Sequence, residues 1–337
     1  MGETEWCKVS RVRWEQGSGG GLLSDAFYAA TWGTPNNFLQ KWSFSARPER
    51  MEDDEQNEPT MTLQSAYEFT CDLNDIAVLG EGAVAVSGSD GGVRLLKLGA
   101  DGNWKLAGEW SNLHSVGAQP SDAMALALME FGLASGGADG RLQFLALERG
   151  EAGGARLVVE DGAGIFALAR TAASVLLAAT QAGHLRLIDV RQSSEAQTVA
   201  ATSGAMHSVA VHPSQAHLGV CGDAEGRLSF FDLRKSPAVL NAVPLHSGPV
   251  WDLSVHREEP ENVFCACDNG YVYHLASGTR GGGGDSSGLG GWGWGMTASA
   301  TELGPEVRLG PANSVAAGSD YVLVAADLHP IRAFPFQ

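Results

Sequence analysis

Residues 174–193, SVLLAATQAGHLRLIDVRQS, and residues 217–236, HLGVCGDAEGRLSFFDLRKS, align without a gap at an offset of 43. At that offset Gly183 meets Gly226, Leu185 meets Leu228, Asp189 meets Asp232 and Arg191 meets Arg234. Each copy is an apolar run, a two-residue turn ending in glycine, a second apolar run and then Asp-x-Arg. Two short strands and a turn cannot bury their own apolar faces, so such a unit folds only when stacked on further copies. A period in the low forties built from short strands is the pattern of propeller blades.

Further copies are present. Turns of the same kind fall at Asp90-Gly91, Asp139-Gly140, Ala182-Gly183, Glu225-Gly226 and Asn269-Gly270, at intervals of 49, 43, 43 and 44. Asp-Gly or Asn-Gly between apolar runs is a strong hairpin signal. The segment before each hairpin repeats as well: HSVAVHP at 207–213 matches WDLSVHR at 251–257, and IFALAR at 165–170 takes the same place one unit earlier. These runs carry almost no charge, which predicts inner strands buried on both faces. Residues 25–44 form a first strand–turn–strand unit, and the last unit, 312–336, ends on a third strand.

The expectation is therefore an all-β, seven-bladed propeller occupying 1–337 as one domain. Blades are expected near 25–46, 70–98, 121–147, 163–190, 205–233, 247–275 and 312–336. The alternating segment 6–14 is a spare strand. Pairing it with the last unit would complete that blade and remove two open sheet edges. The acidic run 47–60 is expected to be a solvated loop, or else a docking site for a basic partner. The glycine-rich stretch 277–300 is expected to be a mobile insertion. Within it Trp292 and Trp294 have no element to bury them, so they either contact a partner or fold back onto the barrel.

Charge narrows the partners. The net charge is −17 and no cluster of Lys or Arg exceeds two, so nucleic acid and anionic membranes are not expected as direct ligands. No apolar run of 18 residues and no basic-then-apolar leader occurs, so neither a membrane span nor a secretory signal is expected. The five cysteines lack framework spacing and read as reduced thiols of an intracellular protein. Cys265 and Cys267 share one face of a strand, but no second pair completes a tetrahedral metal site, so they read as small buried hydrophobes.

Catalytic signatures are missing. No nucleophile elbow, His-Glu-x-x-His helix or phosphate loop is present. His207 and His212 are five apart on a strand and face opposite sides. His212 and His256 occupy equivalent repeat positions, which points to a structural role. Asp25, Asp75, Asp90, Asp139 and Asp252 suit turns and blade tethers. The chain is thus expected to be non-catalytic, with no cofactor, metal or small-molecule substrate. The sharpest surface candidates are Arg191 and Arg234, placed by the repeat on the same rim. Each either pairs with a carboxylate of its own or the next blade, or contacts a partner.

The units resemble WD repeats. The Trp-Asp signature survives as Ile188-Asp189 and Phe231-Asp232, and the Gly-His element as Leu245-His246. The ordered set of short motifs resembles more specifically the WD-repeat nucleoporins of the nuclear-pore Y complex. It comprises Ser-Arg-Val-Arg-Trp (10–14), Thr-Trp (31–32), Leu-Gln-Lys-Trp-Ser (39–43), Ile-Asp-Val-Arg-Gln (188–192), Val-His-Pro (211–213), Phe-Asp-Leu-Arg (231–234), Val-Trp-Asp-Leu (250–253) and Ile-Arg-x-Phe-x-Phe (331–336). That resemblance implies a scaffold subunit docking on α-helical nucleoporins, a place at the nuclear envelope and nuclear pore complex, a role in nucleocytoplasmic transport of protein and mRNA, and a mitotic association with kinetochores. The tandem Asp-x-Arg elements also resemble those of WD-repeat substrate receptors for cullin-type ubiquitin ligases, with Ile188 and Phe231 in place of the usual Trp.

Overall fold

Apolar runs between glycine turns form seven antiparallel sheets, which stand around a central channel as the blades of a propeller. The computed structural model describes residues 8–16, 23–45, 59–148, 150–192, 196–235, 238–277, 296–302, 310–328 and 331–335. From inner to outer strand, blade 1 is Lys8–Gln16, Leu23–Trp32, Asn37–Ser45 and Thr60–Phe69. Blade 2 is Leu73–Gly80, Ala83–Gly88, Val93–Leu98 and Trp104–Trp110, and blade 3 is Ala123–Met129, Gly132–Gly137, Arg141–Glu148 and Glu151–Glu160. Blade 4 is Ile165–Arg170, Val175–Thr180, His184–Asp189 and Ala196–Ala201. Blade 5 is Met206–Val211, Leu218–Asp223, Arg227–Asp232 and Val239–Pro244. Blade 6 is Val250–Val255, Asn262–Cys267, Val272–Ser277 and Met296–Glu302. Blade 7 has three strands among the described residues, Ala312–Ala317, Tyr321–Ala326 and Ile331–Pro335. A two-stranded ribbon, Ser115–Val116 with Gln119–Pro120, lies between blades 2 and 3.

Each inner strand lies against the inner strands of both neighbouring blades, and the first lies against the last, so the ring is closed. The glycine of each repeated hairpin joins the second and third strands with positive φ, +77° at Gly183 and +84° at Gly270. There is no room for a side chain either: a Cβ would stand 2.5 Å from the Gly204 oxygen at Gly183, and 2.5 Å from the Gly310 oxygen at Gly270. The connection entering the next blade passes over the hairpin, and only glycine lets it do so.

The second strands, not the inner ones, are the fully buried layer. Gly132–Gly137, Leu218–Asp223 and Asn262–Cys267 are buried throughout. The inner strands keep partly exposed positions because one of their faces lines the channel, so their low charge does not signify burial on both sides.

Strand Lys8–Gln16 does not complete the last blade. It pairs with Leu23–Trp32, Val12 opposite Ala29 and Val9 opposite Thr31, and is the inner strand of blade 1. Ile331–Pro335 pairs with Tyr321–Ala326. The physical reason is local. The connection between the first two strands is residues 17–22, and closing so short a loop costs far less chain entropy than pairing the two ends of the chain. One strand enters a stretch expected to be a loop: Met296–Glu302 pairs with Val272–Ser277 at the end of the glycine-rich stretch, while Thr60–Phe69 begins where the acidic run ends. Residues 46–58 and 278–295 lie outside the described residues.

Closure is made face to face instead. Val9, Val12, Phe27, Ala29 and Phe44 of blade 1 form one core cluster with Ala316, Leu323 and Ala325 of blade 7. Trp14 meets Phe44 edge-on at 5.3 Å, and Phe44 meets Tyr321 at 5.0 Å. Burying such a cluster contributes on the order of 10 kcal/mol. A zipped outer strand would add a handful of ladder bonds at about 1 kcal/mol each. Apolar packing therefore stabilises the seam more than strand pairing would.

A charge knot inside the channel ties the seam to its neighbours. Asp75 of blade 2 accepts from Leu126 N of blade 3 at 2.9 Å, and Asp252 of blade 6 accepts from Val315 N of blade 7 at 3.2 Å. Arg13 of blade 1 donates to Asp252 at 2.8 Å and lies 3.6 Å from Asp75. Arg11 lies 3.4 Å from Asp75 and 3.8 Å from Asp252. Burial pushes the Asp252 carboxyl up, but Arg13 and Arg11 outweigh it and hold it below the usual carboxylate range. Removing one partner of such a pair leaves a buried charge without its counter-ion. Arg13→Ala is expected to lower the stability read from urea unfolding by about 3 kcal/mol, whereas Lys105→Ala, an exposed pair in blade 2, changes it by less than about 1 kcal/mol.

Candidate interaction surfaces

The hairpins between second and third strands mark one face of the disc, and the ends of the third strands mark the other. Arg191 and Arg234 follow the third strands of blades 4 and 5 and lie on the rim opposite the glycine hairpins. Each closes back on its own repeat. Arg191 Nη2 donates to Asp189 at 2.6 Å, and Arg234 Nη2 donates to Asp232 at 2.9 Å. The hydrogen bond from Arg191 is the largest cause holding the Asp189 carboxyl down at about 2. Both arginine side chains are nevertheless mostly in solvent, 72% and 51% exposed. With Asp189 also partly exposed the Arg191 pair contributes little, whereas Asp232 is buried. Trp292 and Trp294 lie outside the described residues.

Four of the five aspartates act as tethers, two of them, Asp75 and Asp252, from within inner strands rather than turns, while Asp25 is exposed on strand Leu23–Trp32. Asp75 and Asp252 hold neighbouring inner strands, while Asp90 accepts from Gly92 N and is clasped by Arg94. His212 and His256 do equivalent work: each Nδ1 accepts main-chain N–H groups of the turn that follows, from Gln215 at 3.2 Å and from Glu259 at 3.0 Å. Cys265 and Cys267 are buried in one core cluster between blades 5 and 6, and burial pushes the Cys267 thiol up to about 12. No group of three or more potential metal ligands occurs among the described residues.

One constellation escaped sequence reasoning. His114 Nδ1 stands 3.0 Å from Asp139 Oδ1, and its Nε2 stands 2.9 Å from Ser135 Oγ. The three residue types are those of a serine nucleophile, but His114 and Ser135 are 0% exposed. No substrate carbonyl can reach Ser135 there. The constellation matches instead the Asp–His–Ser part of the WD-repeat tether, with the ribbon 115–120 inserted after the histidine. That insertion explains the miss, because it moves His114 away from the repeat position at which a Gly-His element is sought.

At the hairpin face the channel opens into a cavity of about 380 Å³. The residue at the β-bulge near the start of every inner strand lines it: Ser10, Asn74, Met124, Phe166, His207, Trp251 and Asn313. Phe166 and His207 stack in parallel at 5.2 Å, and His207 meets Trp251 at 4.6 Å.

These features define a seven-bladed β-propeller, whose recognisable surfaces are its two faces and the mouth of its channel. The sequence is similar to the nucleoporin Nup43. It is 21% identical to Nup43 of Homo sapiens over 285 residues, 81% of this chain and 74% of the human protein, and Nup43 of Mus musculus gives the same figures. A nuclear pore complex protein nup43 of Dictyostelium discoideum is 22% identical over 95 residues, 28% of this chain and 22% of that protein. No family model matches the chain.

Burial lowers the pKa of His114, against the pull of Asp139, and burial likewise lowers His207, His212 and His274. A histidine depressed in the folded state binds its proton more readily when unfolded, so stability is full above its unfolded value of about 6.5 and falls as pH drops below it. Urea midpoints measured from pH 7.5 to pH 5 are expected to fall with acidification. The slope is expected to be smaller in His114→Ala, which is itself less stable by about 2 kcal/mol because the buried Asp139 and Ser135 lose the imidazole that bridges them.

Proposed function

We propose that the chain is a non-catalytic structural subunit of the nuclear pore complex: a propeller that docks on α-helical nucleoporins of the Y complex at the nuclear envelope and so supports transport between nucleus and cytoplasm. The observation that carries this reading is the similarity to Nup43 across 81% of the chain, on a propeller fold. The contact surface we propose is the rim bearing Arg191 and Arg234, together with Trp292 and Trp294. The exposed Arg191 guanidinium, held by its own Asp-x-Arg turn to a partly exposed Asp189, can exchange that carboxylate for one on a partner at little cost. Arg234 would instead offer its free donors while staying on the buried Asp232. The similarity to Nup43 does not favour the alternative of a cullin-ligase substrate receptor, and Ile188 and Phe231 stand buried where that motif has Trp. The comparisons do not bear out a kinetochore association.

Gentle affinity purification of the tagged protein tests the reading. α-Helical nucleoporins are expected to co-purify in near-stoichiometric amount. Their recovery is expected to fall several-fold with Arg191→Ala/Arg234→Ala and with Trp292→Ala/Trp294→Ala. Unchanged recovery in both variants would move the contact to another surface and leave the nucleoporin reading standing. A cullin adaptor in place of nucleoporins, lost in the arginine variant, would replace that reading.

A further inference from the structure

The seven residues at the mouth of the channel occupy one structural position, yet they divide into two kinds. In blades 7, 1 and 2 the residue is a tether: Asn313 donates to Val9 O at 3.0 Å, Ser10 to Ala30 O at 3.1 Å and Asn74 to Ala123 O at 3.1 Å. In blades 3 to 6 the position holds Met124, Phe166, His207 and Trp251, three of them ring-bearing and all partly exposed to the cavity. Four consecutive blades thus give up a tether and present a continuous wall along one side of the mouth. Trp251 is fixed in that wall by donating from Nε1 to Asp268 at 3.1 Å. Burial lowers the pKa of His207, so the wall is uncharged at neutral pH.

The surrounding charge is acidic. Among the described residues, the cations at the mouth are matched: Arg11 by Asp75 and Asp252, and Lys8 by Asp327 at 2.8 Å. Asp268 sits exposed at the end of the wall. Asp122, two residues before Met124, is half-buried close enough to Asp72 that burial and that second carboxylate raise its pKa. The chain as a whole carries −17. On the side of the cavity opposite the wall, Trp32 Nε1–H is buried with no hydrogen-bond partner among the described residues.

An aromatic wall edged by carboxylates selects a cation with a flat, weakly hydrated face, because such a group stacks on rings while its charge is drawn by the acids. A lysine ammonium gives up more hydration for the same contact. An aliphatic anchor would gain nothing from the acidic edge. We propose that this cavity binds an arginine side chain carried on a basic protein segment, with the guanidinium lying on the Phe166–His207–Trp251 wall and a main-chain carbonyl of the segment accepting from Trp32 Nε1. The site is on the face opposite Arg191 and Arg234 and does not depend on the nuclear-pore reading.

The test uses the full chain and a fluorescein-labelled nonapeptide, Gly-Ser-Lys-Gly-Arg-Gly-Lys-Ser-Gly, followed by fluorescence anisotropy at low salt. Saturable binding is expected, weakened about tenfold when the central arginine is replaced by citrulline or by leucine. Trp251→Ala and Phe166→Leu are each expected to weaken it several-fold, whereas Arg191→Ala/Arg234→Ala leaves it unchanged. Thermal melts accompany the variants. If Trp251→Ala does not fold, the milder Phe166→Leu, which keeps an apolar side chain of similar bulk, tests the same wall. Equal binding of the leucine or citrulline peptide, binding indifferent to Phe166→Leu, or no saturable binding up to millimolar protein would each overturn the proposal.

Discussion

The ring depends on how its two ends meet. A propeller is stable only as a closed circle, since each blade buries one face on the blade before it and one on the blade after. Here the ends meet without sharing a sheet, so closure rests on the apolar seam between blades 7 and 1 and on the pairing of Arg13 and Arg11 with Asp252 and Asp75. Those carboxylates already accept main-chain N–H groups of blades 7 and 3. Two arginines from one strand therefore tie blades 6, 7, 1, 2 and 3 together through the channel. Burial pushes the Asp252 carboxyl up, but Arg13 and Arg11 hold it below the usual carboxylate range, and ionised it holds both kinds of partner.

The geometry separates the work of the molecule by face. The seam and the channel hold the ring together, and the buried His114–Asp139–Ser135 cluster serves that same end. Surfaces open to other molecules lie on the two faces: a rim with exposed arginines on one, and an aromatic, acid-edged mouth on the other. A scaffold protein of the kind suggested by the similarity to Nup43 would use such surfaces rather than a buried site.

Much of the fold was legible in the sequence because hairpins at Gly91, Gly140, Gly183, Gly226 and Gly270 recur at nearly fixed intervals, and that spacing sets the blade count. Outer strands were not legible. Thr60–Phe69 and Glu151–Glu160 are exposed along much of their length, so their sequences carry little apolar patterning. The place of the first strand was misread because counting strands satisfies the missing edge of blade 7 on paper, whereas a short connection favours the neighbour in sequence. Of the candidate surfaces, the Asp-x-Arg rim could be seen in the repeat. The wall at the channel mouth could not. Phe166, His207 and Trp251 fall in inner strands that read as core, and only the ring brings the four blades together.

Disulfide trapping of the first strand decides how the ring closes. In a chain with its own cysteines replaced, Val9→Cys with Thr31→Cys places two thiols at paired positions of blade 1, within the span a disulfide bridges. Rapid, near-complete cross-linking of that pair is expected under mild oxidation, without loss of the fold. None is expected for Val9→Cys with Ala333→Cys. Cross-linking of the second pair and not the first would show that the strand completes the last blade after all, and the closure described here would be wrong.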